Sequence, residues 1–335
     1  MKRSVTIRDV AQRAGVSMAT ASRVLSGHES TSPEARHLVR QAAADLHYSP
    51  NGLARSLRSS RTRAIGLLVS DIRNPFFSEL AYSVQTALFD RGFSMLLGNS
   101  SEQDALQDQY LTALMEQRVD GLIAAPQGGG SALLTRIAEH GTPMVFVDRT
   151  LPTPRVPFVN SDPEPGIRQA LDRLAADGHT RVGFVAGPQN TSTGIERREV
   201  FERLASGRFS ALVRLGGYEQ DQCVDSVNAL VDEGCTALLF GYSPNAVSAL
   251  RVLAGRGIRL PEDLSLVSFD EVPFFELVTP QVSIISQGVV DMGRIAVDML
   301  IDLMSGSTPD DRRLATQLVV RHTNGPAPQP AGRTS

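Results

Sequence analysis

Short apolar segments alternate with amphipathic helical segments over most of this 335-residue chain, beginning at Arg63. Segments that are apolar throughout are typical of strands in parallel sheets, which helices cover on both faces. Ten strands are predicted in this way: Ala64–Ser70, Ser94–Ser100, Gly121–Pro126, Pro143–Asp148, Phe158–Ser161, Arg181–Gly187, Ala211–Gly217, Ala237–Tyr242, Leu264–Asp270 and Val282–Ser286. Helices are predicted between most of them, for example over Pro75–Arg91, Ala105–Arg118 and Glu164–Asp177. Because ten strands are too many for one small doubly wound sheet, we expect an α/β body of two such units in series.

Residues 6–27 precede this body and predict two short helices around a glycine turn. Thr6 can cap the first helix, with Asp9 as its capping-box partner, and Ser17 can cap the second. Gly15 supplies the turn between them. A short second helix with a mixed, protruding N-terminal face is typical of the recognition helix of a helix-turn-helix, but any small helical hairpin would show the same pattern.

Helical periodicity assigns an exposed and a buried face to this all-α segment. At about 100° per residue, one arc of the second helix carries Met18, Ala19, Ser22 and Arg23. The opposite arc, Thr20, Ala21 and Val24, is expected to pack on the apolar stripe of the first helix, Ile7, Val10, Ala11 and Ala14. A third helix is predicted from Ser32-Pro33 to about Leu46, and it completes a three-helix core with Ala35, Leu38, Val39, Ala42 and Leu46.

The formal net charge of −3 conceals a strong asymmetry along the chain. Residues 1–63 contain eleven Lys or Arg and four Asp or Glu, a net charge of +7. The remaining 272 residues carry 22 basic and 32 acidic groups, a net charge of −10. A compact basic module joined to an acidic body is typical of a polyanion-binding protein, so we expect the basic end to contact DNA.

Several other functions find no support in the sequence. No apolar stretch is long enough for a membrane helix, and the N-terminus lacks the apolar region of an export signal, so we expect a cytoplasmic protein. Cys223 and Cys235 are therefore expected to be reduced, buried thiols. No motif brings together a nucleophile, a base and an oxyanion hole. No His or Cys residues have the spacing of metal ligands. We expect no enzyme, no cofactor and no metal.

An ordered set of segments extends these observations over nearly the whole chain. TIRDVAQRAGVS, TASRVLSG, YSPNGLARSLR, NPFFSEL, VDGLI, DGHTRVGFVAGP and PEDLSLVSFDE resemble, in order and spacing, the lac/galactose repressor (LacI–GalR) family of bacterial transcriptional regulators. The resemblance implies a headpiece at residues 1–48, a hinge at 49–63, a body at 64–323 and a disordered tail at 324–335. Within the body it implies an N-subdomain of about 64–160 plus 288–323 and a C-subdomain of about 161–287, as in periplasmic binding proteins.

The resemblance also assigns the DNA contacts. Base-reading positions match Met18, Ala19, Ser22 and Arg23. Arginine can bond guanine bidentately and apolar side chains can contact a thymine methyl, although Arg23 could instead hold a phosphate and Ser22 could position the backbone. Backbone-positioning groups match Thr6, Ser17, Thr20, Asn51 and Arg55. Minor-groove hinge positions match Ala54, Leu57 and Arg58, with Leu57 as a wedge; from composition alone, this segment is equally a basic linker.

A small-molecule effector is implied in the cleft between the two units of the body. The matching positions are Phe76, Phe77, Asp148, Arg149, Asp162, Thr193, Arg197, Tyr218, Tyr242 and Asp270, with Arg198 as an alternative to Arg197. Two departures alter the expected pocket: Tyr242-Ser243 stands where the family carries Asn-Asp, and Ser161-Asp162 where it carries Asp-Asn. They permit a ligand other than a typical free sugar, or a pocket with little binding left.

The resemblance therefore implies a homodimeric repressor that binds a palindromic operator, with the effector acting as inducer or corepressor. Two alternatives remain open at this stage. One is a regulator of the same family that is controlled by a partner protein or by its own abundance. The other is a solute-binding receptor, against which the basic headpiece and the missing export signal argue.

Overall fold

The computed structural model describes residues 5–25, 30–48, 62–128, 130–152, 156–218 and 220–329. The chain divides into two compact units, Met1–Thr62 and Arg63–Ser335. The first contains the predicted headpiece and the second is the body. In the part of the chain that the structure describes, every helix is too short or too polar to cross a bilayer.

Among its described residues, the headpiece unit has three helices: α1 (Ile7–Arg13), α2 (Met18–Leu25) and α3 (Pro33–Asp45). Gly15 has φ +66°, a left-handed conformation that lets the chain turn between α1 and α2. The Ser17 hydroxyl accepts a hydrogen bond from the Thr20 amide at 3.1 Å, and the Ser32 hydroxyl accepts one from the Ala35 amide at 3.2 Å. Both predicted serine caps are therefore present.

Small aliphatic side chains form the headpiece core: Val10, Ala11, Ala14, Ala21, Val24, Val39, Ala42 and Ala43. One prediction for this core was wrong, because Leu38 is 41% exposed. It lies one helical position before Val39, about 100° around α3 from the stripe that faces the other helices. At the start of α1, Asp9 Oδ2 accepts hydrogen bonds from both the amide (2.8 Å) and the hydroxyl (2.7 Å) of Thr6.

The first sheet of the body, which defines the N-subdomain, has six parallel strands in the order β2-β1-β3-β4-β5-β11. They are β1 (Ala64–Val69), β2 (Ser94–Asn99), β3 (Gly121–Ala124), β4 (Met144–Val147), β5 (Phe158–Asp162) and β11 (Arg312–Ala315). Its helices are α4 (Pro75–Asp90), α5 (Asp104–Glu116), α6 (Ala132–Glu139) and α12 (Val289–Met304). The last of these returns from the second sheet and packs on α4.

The second sheet, which defines the C-subdomain, has the order β7-β6-β8-β9-β10-β12 and is parallel except for its last strand. Its strands are β6 (Arg181–Ala186), β7 (Ser210–Leu215), β8 (Ala237–Phe240), β9 (Ser265–Phe269), β10 (Ser283–Ser286) and β12 (Gln317–Val319). Its helices are α7 (Glu164–Ala176), α8 (Ser192–Ala205), α9 (Val224–Asp232), α10 (Ser243–Gly255) and α11 (Phe274–Leu277). Cys223 and Cys235 are buried thiols of this subdomain.

The structure contains all ten predicted strands and so confirms the predicted fold class. It also contains two strands that were not predicted, Arg312–Ala315 and Gln317–Val319. Both are mostly exposed edge strands, and an edge strand needs no apolar run. The second of them pairs with β10, so residues 317–319 belong to the C-subdomain and not, as predicted, to the N-subdomain.

The predicted disordered tail also differs from the structure at its beginning. Gly325 accepts a hydrogen bond at its carbonyl from the buried Ser265 hydroxyl at 3.2 Å, and its carbonyl lies 3.0 Å from His179 Nε2. The amide of Ala327 donates to the Asp177 carbonyl at 2.8 Å. Residues 324–327 are therefore fixed on the C-subdomain, and only residues 330–335 of the predicted tail lie outside the described residues.

Candidate functional site

Helix α2 presents the predicted base-reading arc to solvent. Met18 is 46% exposed, Ala19 and Arg23 are exposed and Ser22 is half-buried. Ala21 and Val24, on the opposite arc, are buried against the headpiece core. Packing therefore fixes the rotation of α2, and the same four side chains that the periodicity placed together share one face.

Hydroxyl groups cluster where α1 and α2 begin. Ser17 and Thr20 share a hydrogen bond of 2.9 Å between their hydroxyl oxygens, and Thr6 lies before the first turn of α1. Helix N-termini carry free amide donors and partial positive charge, so they suit phosphate contacts. The predicted contacts Asn51, Ala54, Arg55, Leu57 and Arg58 lie outside the described residues.

In the body, a first polar cluster lies at the carboxyl ends of N-subdomain strands. Arg149, which follows β4, donates two hydrogen bonds to the Glu102 carboxylate, at 2.7 and 2.8 Å, and a third to the Gln127 side-chain oxygen. Glu102 follows β2 and Gln127 follows β3. The guanidinium also lies 5.5 Å from the centre of the Phe77 ring. This charge is therefore buried with a carboxylate partner and an aromatic face.

A second cluster occupies the corresponding position in the C-subdomain. Arg197 donates to the Gly241 carbonyl and to the Gln287 side-chain oxygen, both at 2.8 Å, and lies 4.2 Å from the centre of the Phe269 ring. Gln287 in turn donates to the Asp270 carboxylate and accepts from the hydroxyl of Ser161 in the N-subdomain. Arg197 is buried while Arg198 is only half-buried, so Arg197 is the arginine of this cluster.

Direct hydrogen bonds connect the two subdomains across the cleft. The Tyr218 hydroxyl of the C-subdomain accepts from Gln127 Nε2 and donates to Asn190 Oδ1, both at 2.7 Å. The Thr150 amide donates to the Ser192 hydroxyl at 3.0 Å. Because parallel strands end at one edge, the carboxyl edges of the two sheets face each other here and form a polar cleft.

Aromatic side chains cover part of this cleft. Asn74 caps α4 by accepting from the Phe76 amide at 3.1 Å, and Phe76 and Phe77 then form an edge-to-face pair with centroids 5.1 Å apart. Tyr242 is buried where the family pattern carries a small polar side chain, and Ser243 donates to Asp270 Oδ2 at 3.4 Å. Burial raises the pKa of Tyr242, with a smaller contribution from the Glu102 carboxylate.

Two of the predicted residues do not join either cluster. Asp162 Oδ1 accepts from the Glu164 amide at 3.0 Å, so it caps the start of α7, and its side chain is 43% exposed beside Arg313. Thr193 is half-buried in the first turn of α8. Asp162 therefore has a structural role as a helix cap. Its place after the predicted strand Phe158–Ser161 did not indicate this role.

Asp148 and Asp270 occupy equivalent places, directly after the fourth strand of each sheet. Both have left-handed backbones, with φ +62° and +67°. Burial raises the pKa of Asp148 to about 6, against the opposing effect of Arg149 and Arg197. Burial likewise raises the pKa of Asp270, opposed first by Arg197. Asp148 and Asp270 are thus buried carboxyl groups of the cleft that can accept hydrogen bonds.

Four polar residues of the cleft were not predicted: Asn74, Glu102, Gln127 and Gln287. Each follows a strand of its sheet, so a systematic search of the residues after every predicted strand would have found them. In the described part of the chain, no group of three His, Cys, Asp or Glu side chains could hold a metal.

A compact unit with a helix-turn-helix and a body with a polar interdomain cleft are typical of a DNA-binding regulator. Comparison with known proteins identifies its family. Residues 6–51 match the bacterial regulatory proteins of the lacI family, and residues 171–324 match a periplasmic binding protein-like domain. The HTH-type transcriptional regulator CelR of Thermobifida fusca is 33% identical, over 96% of this chain and 99% of CelR.

Two solved structures show the same architecture. A complex of the regulator CelR with cellobiose matches with TM-score 0.71 and 30% identity, over 96% of this chain and 100% of that chain. The Lac repressor dimer bound to operator and the anti-inducer ONPF matches with TM-score 0.85 and 26% identity, over 96% of this chain and 99% of that chain. The chain belongs to the lacI family of bacterial regulatory proteins, and it is a transcriptional regulator.

The raised pKa of Asp148 predicts a pH-dependent loss of stability. Because the folded state binds the proton more tightly than the unfolded state, Asp148 contributes stability at low pH that is lost as pH rises from 3.8 to about 6. The difference amounts to at most about 3 kcal/mol. Asp148→Asn cannot titrate, so urea unfolding between pH 4 and 7 should show the wild type losing stability relative to this variant. A difference that does not vary with pH would contradict the prediction.

Proposed function

We propose that this regulator is a repressor whose affinity for a palindromic operator changes when a small, hydroxyl-rich molecule binds in the cleft of the body. The observation that carries the proposal is the pair of Arg–carboxyl clusters at the facing carboxyl edges of the two sheets. The named relatives are regulators rather than enzymes, which supports a function in binding. We place its action in the cytoplasm, where the operator is.

The connectivity of the body supports a population-shift mechanism. The chain crosses between subdomains after β5, after β10 and after β11, so neither subdomain can move without changing the cleft. A ligand that contacts both clusters favours one relative orientation of the subdomains. In sequence, residues 49–63 connect β1 to the headpiece, so this orientation can alter operator affinity through the predicted hinge, including Leu57. An inducer weakens operator binding and a corepressor strengthens it.

Exposed apolar residues on both subdomains support a homodimer. Tyr82 and Phe89 lie seven residues apart on one face of α4 and are 67% and 79% exposed. On the C-subdomain, Leu277 is 82% exposed, and a groove of about 780 Å³ lies between α10 and α11. A second copy of the chain is the occupant we propose, because two headpieces match the two halves of a palindrome.

Arg23→Ala should reveal base reading in the headpiece. Loss of a bidentate contact to guanine should cost about 1–3 kcal/mol for the selected operator and relax the preference at one base pair. Arg40→Ala removes the same charge from an exposed position on α3 and is the matched control. Fluorescence anisotropy on operators obtained by in vitro selection measures both. If both variants lose the same affinity for operator and for random DNA, Arg23 contacts a phosphate and does not read a base.

Phe89→Glu should weaken the dimer, because a carboxylate would be buried in an apolar interface without a partner. Sedimentation velocity should show monomers at concentrations where the wild type is dimeric. Leu215→Glu is the control, since Leu215 is 55% exposed on the edge strand β7. A Phe89→Glu protein that sediments like the wild type would argue against α4 as the interface.

A thermal-shift screen with sugars, sugar phosphates, polyols and nucleobases tests the cleft. A ligand at 100 times its dissociation constant should add about 2.7 kcal/mol of stability. Arg197→Gln should abolish the effect on both stability and operator affinity, whereas Arg198→Gln, the neighbouring control, should retain it. If no compound stabilises a protein that binds its operator, control by a partner or by abundance becomes the better hypothesis. Burial of Tyr242 in the cleft is the observation that favours this alternative.

A further inference from the structure

Glu102 is the carboxylate that pairs with Arg149 in the cleft, and its placement is unusual. Its side chain is 6% exposed and that of Arg149 is 5% exposed, so the bidentate pair is almost completely removed from water. The two N–H groups that donate to Glu102 lie on one edge of the planar guanidinium. A ligand carboxylate or phosphate would bind the same edge, which is therefore occupied.

The loop that carries Glu102 holds the carboxylate in this position. Ser101 and Glu102 both have left-handed backbones, with φ +48° and +59°, although neither is a glycine. The Glu102 amide donates to the Ser70 carbonyl at 2.9 Å, and its carbonyl accepts from Gln127 Nε2 at 3.3 Å. These contacts fix the backbone of Glu102, and the two hydrogen bonds from Arg149 hold its side chain.

The two buried arginines of the cleft already have partners within the protein. Arg149 donates to Glu102 and Gln127, whereas Arg197 donates to two neutral groups, the Gly241 carbonyl and the Gln287 side-chain oxygen. Among the described residues, Asp71, Asp148 and Asp270 are buried and the Glu102 side chain is 6% exposed, so buried carboxyl groups outnumber the two buried arginines of the cleft. Two atoms of the Arg149 region, Asp148 Oδ1 and Arg149 Nε, have no hydrogen-bond partner among the described residues. Arg149 Nε lies 3.7 Å from Oδ2 of the same Asp148 carboxylate, and a hydroxyl group can donate to an acceptor and accept from a donor of this kind.

We propose that Glu102 determines the charge selectivity of the cleft: it occupies the anion-binding edge of Arg149 and restricts the effector to uncharged, hydroxyl-bearing molecules. This inference rests on the proposed function, because it assumes that the cleft binds the effector. According to this proposal, Glu102 prevents sugar acids and sugar phosphates from binding in the cleft. Removal of its charge should therefore convert the cleft into an anion site.

The test is isothermal titration calorimetry of the full-length protein with inorganic phosphate, D-gluconate and uncharged D-glucose. Glu102→Gln should bind phosphate and gluconate at least tenfold more tightly than the wild type, which corresponds to about 1.4 kcal/mol. Its affinity for glucose should change by much less. Glu116→Gln removes the same charge from an exposed position on α5 and should behave as the wild type. The double variant Glu102→Gln/Arg149→Gln should lose the gain.

Anion binding by Glu102→Gln that is no tighter than that of the wild type would overturn the proposal, and so would a gain that persists in the double variant. If Glu102→Gln folds poorly by circular dichroism, Glu102→Ala provides the same comparison with the same expected gain. Operator binding by these proteins is measured in parallel. A wild type that binds no operator contradicts the proposed function, whereas the calorimetric comparison depends on the cleft alone.

Discussion

The body depends on one constraint, which is that parallel strands deliver their following residues to a single edge of each sheet. The two sheets face each other through these edges, so residues far apart in sequence converge on one cleft. Asp148 and Asp270 show the constraint most clearly, because each follows the fourth strand of its sheet in a left-handed conformation. Such a backbone costs a residue with a Cβ roughly 1–2 kcal/mol. This backbone conformation directs the carboxyl groups of Asp148, in the N-subdomain, and Asp270, in the C-subdomain, towards the cleft.

The hydrogen bonds that cross the cleft are individually weak. Tyr218 bonds Gln127, Thr150 bonds Ser192, and Gln287 connects Ser161 to Arg197. A hydrogen bond of this kind contributes about 0.5–1.5 kcal/mol net. The sum of these contributions is comparable to the difference in binding free energy by which a small ligand can favour one conformation over another. The subdomains are thus held firmly enough to form a defined cleft, and loosely enough for a ligand to change their orientation.

Patterns within single elements made much of the fold predictable. Apolar runs located every buried strand, and the capping serines located the starts of α2 and α3. The predictions failed where a side chain depends on a distant neighbour. Leu38 is apolar but lies just outside the packed stripe of α3, and β12 is a three-residue edge strand without a longer apolar run. Gly325 is ordered because it contacts His179 and Ser265. Asp162 is the last residue of β5, close in sequence to where a cleft residue is expected, yet it caps the next helix. Sequence position identifies candidates for the cleft, whereas three-dimensional contacts decide among them.

One departure of this chain from the family pattern changes the charges of the cleft. Where the family carries Asn-Asp after β8, this chain has Tyr242-Ser243, which removes one carboxylate from the C-subdomain side of the cleft. Glu102 supplies a carboxylate from the N-subdomain side, after β2, and the Tyr242 phenol lies within its electrostatic influence. A buried arginine without a counter-charge would be strongly destabilising, so a carboxylate near Arg149 satisfies a requirement of the fold. The same carboxylate then limits which ligands can reach that arginine. The requirement for stability and the choice of ligand are therefore met by one side chain.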